Sequence, residues 1–382
     1  MLKRTCLFTM ISCAVLTTVT IAIAQRESFI KVEGPDLRGR IDSASKQARS
    51  AGQPFYWTAY SFDVRPGVAV DVELTDFRGT TNSVSGTSIS IGTSRGVTIE
   101  TRNLGVFLLH DANANAITRL EIYNLDRERE YSRYPVYWLG RAMNEESLTL
   151  LKGVVSSSQK SNVSEHAVMA IGLHDDPQVS AILKDFVRSS EREKVRSSSV
   201  FWLGQIGGEQ QFLADIVRNE RESTEMRKKA AFAIGVSKDA TALSTLQGLY
   251  ASVTQREIKR QIIFAASINE NKDGAVDFLV NIASSDPDIE CKKQALFWLG
   301  QRAGERSLQV LGDVVNSNDA DTEVQKQAVF SISRRPKDEA IPLLIKIAKT
   351  HPKAEVRKQA LFWLGRSGDE RALELFKEIL SK

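Results

Sequence analysis

The side chains best suited to acid–base, nucleophilic or metal chemistry in this 382-residue chain are four histidines, His110, His166, His174 and His351, and three cysteines. Their spacing does not assemble a reaction centre. His174 stands beside Asp175 and Asp176. That carboxylate-rich turn could hold a cation weakly, but it matches no zinc template. His110-Asp111 is an isolated pair at the end of a predicted strand, and His166 falls in an otherwise polar column, so the surface is expected for it. The chain contains no H-E-x-x-H and no glycine-rich phosphate loop. The expectation is no catalytic residue, no cofactor or cofactor-binding residue and no metal ligand.

Two of the three cysteines lie in the first 24 residues. There Lys3 and Arg4 precede the uncharged run CLFTMISCAVLTTVTIAIA, and Ala22-Ile23-Ala24 forms a small-x-small site before Gln25. This is the pattern of a secretory signal peptide, and it predicts export to the periplasm or the extracellular space. An uncleaved membrane anchor is the alternative, since about 20 apolar residues can span a bilayer. A lipoprotein site at Cys13 fits poorly, because the apolar run continues past it. Cleavage leaves Cys291 alone, which excludes an internal disulfide or a cysteine metal cluster. Loss of Lys3 and Arg4 lowers the formal charge from +4 to +2, too small a surplus for a nucleic-acid-binding protein. An Asn-Val-Ser sequon at Asn162 matters only in a eukaryotic source.

The elements that would position any site fall into two grammars. Residues 25–130 read as a β domain with a short leading helix, stopped by Gly52 and Pro54. FYWTAYSF, VAVDVELTD, TSISIG, GVTIET, GVFLLH and ITRLEIYNL are apolar or alternate with period two between Gly, Asn and Ser clusters, predicting about six antiparallel strands. Residues 131–382 repeat. Aligned on the glycine of WLG, the anchors are Gly140, Gly172, Gly204, Gly235, Ser267, Gly300, Ser333 and Gly365, in steps of 31 to 33 residues. Eight units of about 32 residues, each reading as two helices, are the signature of a solenoid.

The segments VRSSSVFWLGQIGGEQQFLADIV and VRKQALFWLGRSGDERALELFKEIL resemble HEAT repeats, in particular the bacterial HEAT-like type first associated with phycobilisome lyases. The resemblance implies an all-α solenoid of eight HEAT-like helix pairs preceded by a small all-β domain. It says little about activity, since such repeats serve scaffolds, adaptors and a few enzymes.

Repetition lets each helix position be read eight times. Nine, five and one residues before the anchor the columns are apolar or small, Cys291 taking the place of a valine in the first of them. These three columns span about 80° of an ideal helix and define the inward face. Four of the five tryptophans fill one column, Trp138, Trp202, Trp298 and Trp363, alternating with Ala and Ser in neighbouring units, as large-against-small packing requires. One position earlier stand Tyr137, Met169, Phe201, Phe232, Phe264, Phe297, Phe330 and Phe362. This stripe points roughly 150° from the inward centre. It reads either as lateral packing between first helices or as a convex apolar face for a partner. Glu225, Glu257, Glu290, Glu323 and Glu355 each precede a base by three residues, and Arg196, Arg227, Lys259, Lys292 and Arg357 form a further basic column. Ion-pair ladders explain these better than a polyanion track.

The function expected from these features is a non-enzymatic protein–protein interaction scaffold or adaptor outside the cytoplasm. A bilin-lyase-like enzyme and a polyanion- or nucleic-acid-binding solenoid are the alternatives. The expected partner is another protein, with no nucleic acid, and a membrane only if the leader stays attached. Lys152, Lys184, Asp185, Gln247, Asp313, Lys346 and Lys377 are the polar candidates on the second helices, the concave side of such a solenoid.

Overall fold

The computed structural model describes residues 29–71, 98–126, 134–302, 304–317 and 320–381. The expected leader, the TSISIG strand and Tyr131 lie outside these residues. The chain divides into two compact units after Leu203.

The first unit contains β1 (Ile30–Lys31), α1 (Leu37–Ser50), β2 (Phe55–Ser61), β3 (Ala69–Asp71), β4 (Thr98–Glu100), β5 (Leu104–Asp111), β6 (Ala116–Asn124) and β7 (Val136–Arg141). Helices α2 (Asn144–Ser157), α3 (Ser161–Leu173) and α4 (Gln178–Ser189) follow, with most of α5 (Glu193–Ile206). Asp36 caps α1 by accepting from the Gly39 N–H at 2.7 Å, and Gly52 at φ +67 turns the chain after it. Five strands form one sheet in the order β1-β7-β2-β5-β6, and β3 pairs with β4 separately. Phe29, Trp57, Phe107, Tyr123 and Val136 pack together as a buried core on this sheet.

Two expectations are corrected here. The sheet is mixed rather than antiparallel, because β7 runs parallel to both β1 and β2. And YWLG at residues 137–140, expected to be the first solenoid helix, lies in strand β7. Gly140 sits at φ +77, outside helical space. Pro135, preceding the β-branched and aromatic run Val136-Tyr137-Trp138, favours extended backbone, and the ladder to β2 (Thr58 opposite Tyr137, Ala59 opposite Trp138) satisfies it. The Arg40 guanidinium on α1 donates to the Leu139 and Arg141 carbonyls, which holds the strand's end.

The helical grammar thus begins with α2 as a lone second helix. Seven pairs follow in chain order among the described residues, rather than eight: α3–α4, α5–α6, and five pairs in the second unit. That unit holds α6 (Gln210–Arg218), α7 (Thr224–Val236), α8 (Ala242–Ser252), α9 (Arg256–Ile268), α10 (Lys272–Ser285), α11 (Ile289–Gly300), α12 (Glu305–Asn316), α13 (Thr322–Ser333), α14 (Lys337–Thr350), α15 (Ala354–Ser367) and α16 (Glu370–Leu380). Ser223, Asp288 and Asp321 cap the first helices α7, α11 and α13 by accepting N-terminal backbone N–H groups.

Candidate interaction face

The anchor glycines are where successive first helices meet. A Cβ at Gly235 would lie 2.5 Å from the Ala265 carbonyl oxygen, and one at Gly300 2.7 Å from that of Ser331. Gly204 makes the same approach to Ala233. In the first unit Gly172 meets the Trp202 ring instead, 2.5 Å from where a Cβ would stand. Each anchor therefore faces forward, onto the Trp/Ala/Ser column of the following repeat. Backbone packed this close to backbone admits no side chain, which is why glycine recurs.

This joint places the aromatic columns against one another. In the second unit the Phe232 and Phe264 rings stack 6.0 Å apart, and Trp298 reaches back to within 5.1 Å of Phe264. The series continues through Phe297, 5.0 Å from Trp298, to Phe330 at 6.3 Å, Trp363 at 5.1 Å and Phe362 at 5.0 Å. Seven rings thus run unbroken across five first helices. The stripe does not point cleanly outward: Phe232, Phe264, Phe297 and Phe330 are half-buried because each ring lies on the next helix. Phe362 is 52% exposed. Phe201, in the first unit, is half-buried beside Trp202 at 5.7 Å. Tyr137 and Met169 are corrections, for both are buried. Tyr137 lies within the sheet against Tyr56 at 5.7 Å, and Met169 belongs to α3, which packs on β6. Nor are the tryptophans uniformly interior, since Trp298 and Trp363 are half-buried members of the same aromatic series.

The charged columns divide into two structural roles. Lys228 bridges Glu225 of its own helix at 2.9 Å and Glu257 of the next at 3.1 Å, and these carboxylates hold its ammonium above the usual lysine range. Lys293, Lys326 and Lys358 make the equivalent bonds to Glu290, Glu323 and Glu355. The other basic column turns inward. Arg196 donates to the Val187 carbonyl at 2.8 Å, Arg227 to Val217 at 2.8 Å, Lys292 to Ser284 at 3.3 Å and Arg357 to His351 at 2.7 Å. These acceptors end the preceding second helices, where unpaired carbonyls and the helix dipole favour a cation. Lys259 instead covers the Tyr250 ring at 4.8 Å.

The histidines hold structure together. His174 is buried, stacked on Phe62 at 4.2 Å. Its Nδ1–H donates to the Ala170 carbonyl at 2.7 Å, Nε2 accepts from the Ser147 hydroxyl at 2.8 Å, and Tyr60 donates to Ser147 at 2.9 Å. Both ring nitrogens are used, and burial lowers the imidazole pKa to about 4. His110 is buried against Tyr56 and bonded to Thr58 Oγ1 at 2.8 Å, with its pKa likewise lowered by burial to about 4. His166, expected at the surface, is half-buried and donates through Nδ1 to Leu120 O on β6 at 2.6 Å, because α3 packs on the sheet. His351 is buried and donates to Val315 O at 2.8 Å. Cys291 is buried too, and burial pushes its thiol away from the reactive thiolate. Among the described residues no group of three or more His, Cys, Asp or Glu could hold a metal.

On the second helices Lys152, Asp185, Gln247, Asp313, Lys346 and Lys377 are exposed and Lys184 is half-buried. Asp313 lines a cleft of about 530 Å³, whose other polar walls include Asp286, Lys292 and Asp321. Sequence reasoning used the anchor glycines to count repeats and passed over their role. The signal was there: Gly140, Gly172, Gly204, Gly235 and Gly300 are each followed one repeat later by Ala, Ser or Trp, two positions before the next anchor.

A family profile described as HEAT repeats matches residues 315–382. The chain carries HEAT repeats over residues 315–382. No curated protein matches it. Among solved structures, human deoxyhypusine hydroxylase in complex with glycerol is similar at 14% identity and TM-score 0.30, over 62% of this chain and 90% of that one. The CpcE–CpcF complex of phycocyanin lyase from Nostoc sp. PCC7120 is similar at 17% identity and TM-score 0.31, over 67% and 98%. Lipovitellin is similar at 16% identity and TM-score 0.43, over 59% of this chain but only 27% of its own. HEAT repeats suggest a protein-interaction scaffold.

Proposed function

We propose that this HEAT-repeat protein is an exported, non-enzymatic scaffold or adaptor that binds another protein through the face of its first helices. The observation that carries the reading is the unbroken series of seven aromatic rings from Phe232 to Phe362, half-buried along most of its length and open at one end. Aromatic rings flanked by polar side chains are the composition that protein interfaces favour. The Lys and Gln columns supply that flank, with Arg260 reaching Gln294 at 3.5 Å. A polyanion track has less support, because Arg196, Arg227, Lys292 and Arg357 spend their donors on helix-end carbonyls.

Two measurements test the reading. Phe297→Gln with Phe330→Gln, once circular dichroism shows native helix content, should lose a cross-linked protein partner that the wild-type chain recovers from the exported fraction of its host. Equal recovery by both chains would overturn the proposed face. Sequencing the mature N-terminus should give Gln25, and a chain that retains Met1 would overturn cleavage and export.

A further inference from the structure

Side chains tie successive helical pairs together where the second helices end. In the first unit Arg192 donates to the Val155 carbonyl at the end of α2, and to Ser158 O and Ser164 Oγ at 2.8 Å each. In the second unit Tyr250, on the last turn of α8, donates to Asp286 at 2.7 Å, and Arg256 reaches Asp288 at 2.6 Å. His351 donates to Val315 O at 2.8 Å and Lys353 to Ala320 O at 2.8 Å. Between the ends of α10 and α12 no such bond is made among the described residues. There Ala283 holds the place of Tyr250, and Ser317, the C-cap of α12, holds the place that His351 has on α14. Neither side chain is long enough to cross, and the cleft of about 530 Å³ opens between them.

The walls of this cleft favour a cation. Asp286, Asp313 and Asp321 line it against a single ammonium, Lys292, which already donates to Ser284 O at 3.3 Å. Asp313 makes no hydrogen bond or ion pair with a described residue. Asp321 uses one carboxylate oxygen, on the Glu323 N–H. Asp288 and Asp321 cap α11 and α13, so neither helix N-terminus calls for an anion, whereas the C-terminal end of α10 attracts positive charge. Ala283, Pro287, Val314 and Val324 give the cleft apolar sides that suit a long aliphatic stem. Ile289 joins them, 42% exposed, where Glu193, Thr224, Arg256, Thr322 and Ala354 hold the same helical position.

We infer that this cleft takes an arginine side chain of the bound protein, in the place that Arg192 fills at its own joint. A guanidinium presents five donors in one plane, which serves the exposed carboxylates of Asp313 and Asp321 together with carbonyls at the end of α10. The inference rests on the reading of the chain as a protein-binding scaffold. Cleft and aromatic stripe share α11 and α13, with Ile289 about 12 Å along the helix from Phe297.

The probe is a fluorescein-labelled Gly-Ser-Arg-Ser-Gly amide, titrated with the full-length chain and followed by anisotropy. It should bind saturably, and the same peptide with neutral citrulline in place of arginine should bind at least tenfold more weakly. Asp313→Asn with Asp321→Asn should also weaken binding at least tenfold, with helix content kept because Asn caps as well as Asp. Ala283→Tyr, which supplies the closure that Tyr250 makes, should abolish it. No saturable binding, equal binding of the citrulline peptide, or equal binding by the double Asn chain would overturn the inference. So would tighter binding of a glutamate peptide, which would assign the cleft to an anion at Lys292. The Phe297→Gln, Phe330→Gln chain keeps the cleft and should bind the arginine peptide unchanged. Partner recovery that survives in that chain fails the stripe, and absent peptide binding fails the cleft, so the two readings fail separately.

Discussion

Gly300 approaches Ser331 so closely that a methyl group on its Cα would stand 2.7 Å from the Ser331 carbonyl oxygen. At Gly365, at the same place in the last repeat, a Cβ would make only ordinary contact with the Phe376 ring, at 3.8 Å. Gly300→Ala should therefore cost about 1–3 kcal/mol through overpacking, whereas Gly365→Ala should be neutral or stabilise by up to about 1 kcal/mol through helix propensity. Urea denaturation of the two full-length variants, followed by circular dichroism, checks the contrast. Equal shifts in midpoint would contradict it.

Trp202 is buried against Gly172 and lies under the Arg65 guanidinium at 5.9 Å. Trp202→Ala should cost about 3–5 kcal/mol. Trp363→Ala should cost less, because that ring is half-buried. Thermal melts of both variants give the comparison.

His110 and His174 are held neutral, with pKa values lowered to about 4, while an unfolded histidine takes up a proton near pH 6.5. The unfolded chain thus binds more protons between these values. Stability of the first unit is fully present above about pH 6.5 and is lost as the pH falls toward about 4. The slope should reach about 1.4 kcal/mol per pH unit for each histidine. Hydrogen exchange of the β2 and β5 amides between pH 7 and 4 measures it, after correction for the intrinsic exchange rate. Protection that is flat across that range would count against the assignment.

Arg227 is buried, donating to Val217 O at 2.8 Å and to Gln255 Oε1 at 2.9 Å. Arg227→Ala should cost about 1–3 kcal/mol by leaving buried acceptors unpaired. Binding to a heparin column should not change, because the guanidinium faces a helix end. Reduced heparin retention at unchanged stability would revive a polyanion track.

The solenoid was legible because repetition samples each position many times, so the inward columns stand out against local noise. The strand at Val136–Arg141 was not. Its YWLG is nearly the FWLG of α5, and what decides its conformation is parallel pairing with a strand far away in sequence. The stripe's position was legible for the same reason as the core. Its exposure was not, because Phe264 is covered by Trp298 from the next helix, a relation set by how closely the glycines bring the backbones together. The His174–Ser147–Tyr60 chain likewise joins three elements that no spacing rule links.

The forward glycine and the residue it meets come in matched kinds. Gly204, Gly235 and Gly300 precede Ala233, Ala265 and Ser331, whereas Gly172, Ser267 and Ser333 precede Trp202, Trp298 and Trp363. The repeats are therefore keyed rather than interchangeable. A shuffled array would keep every helix, yet an indole set where the Ala265 carbonyl oxygen lies 2.5 Å from the Gly235 Cβ position would force that junction to repack. Lengthening or shortening this protein by whole modules requires moving lock and key together, which restricts the orders in which its repeats can be copied.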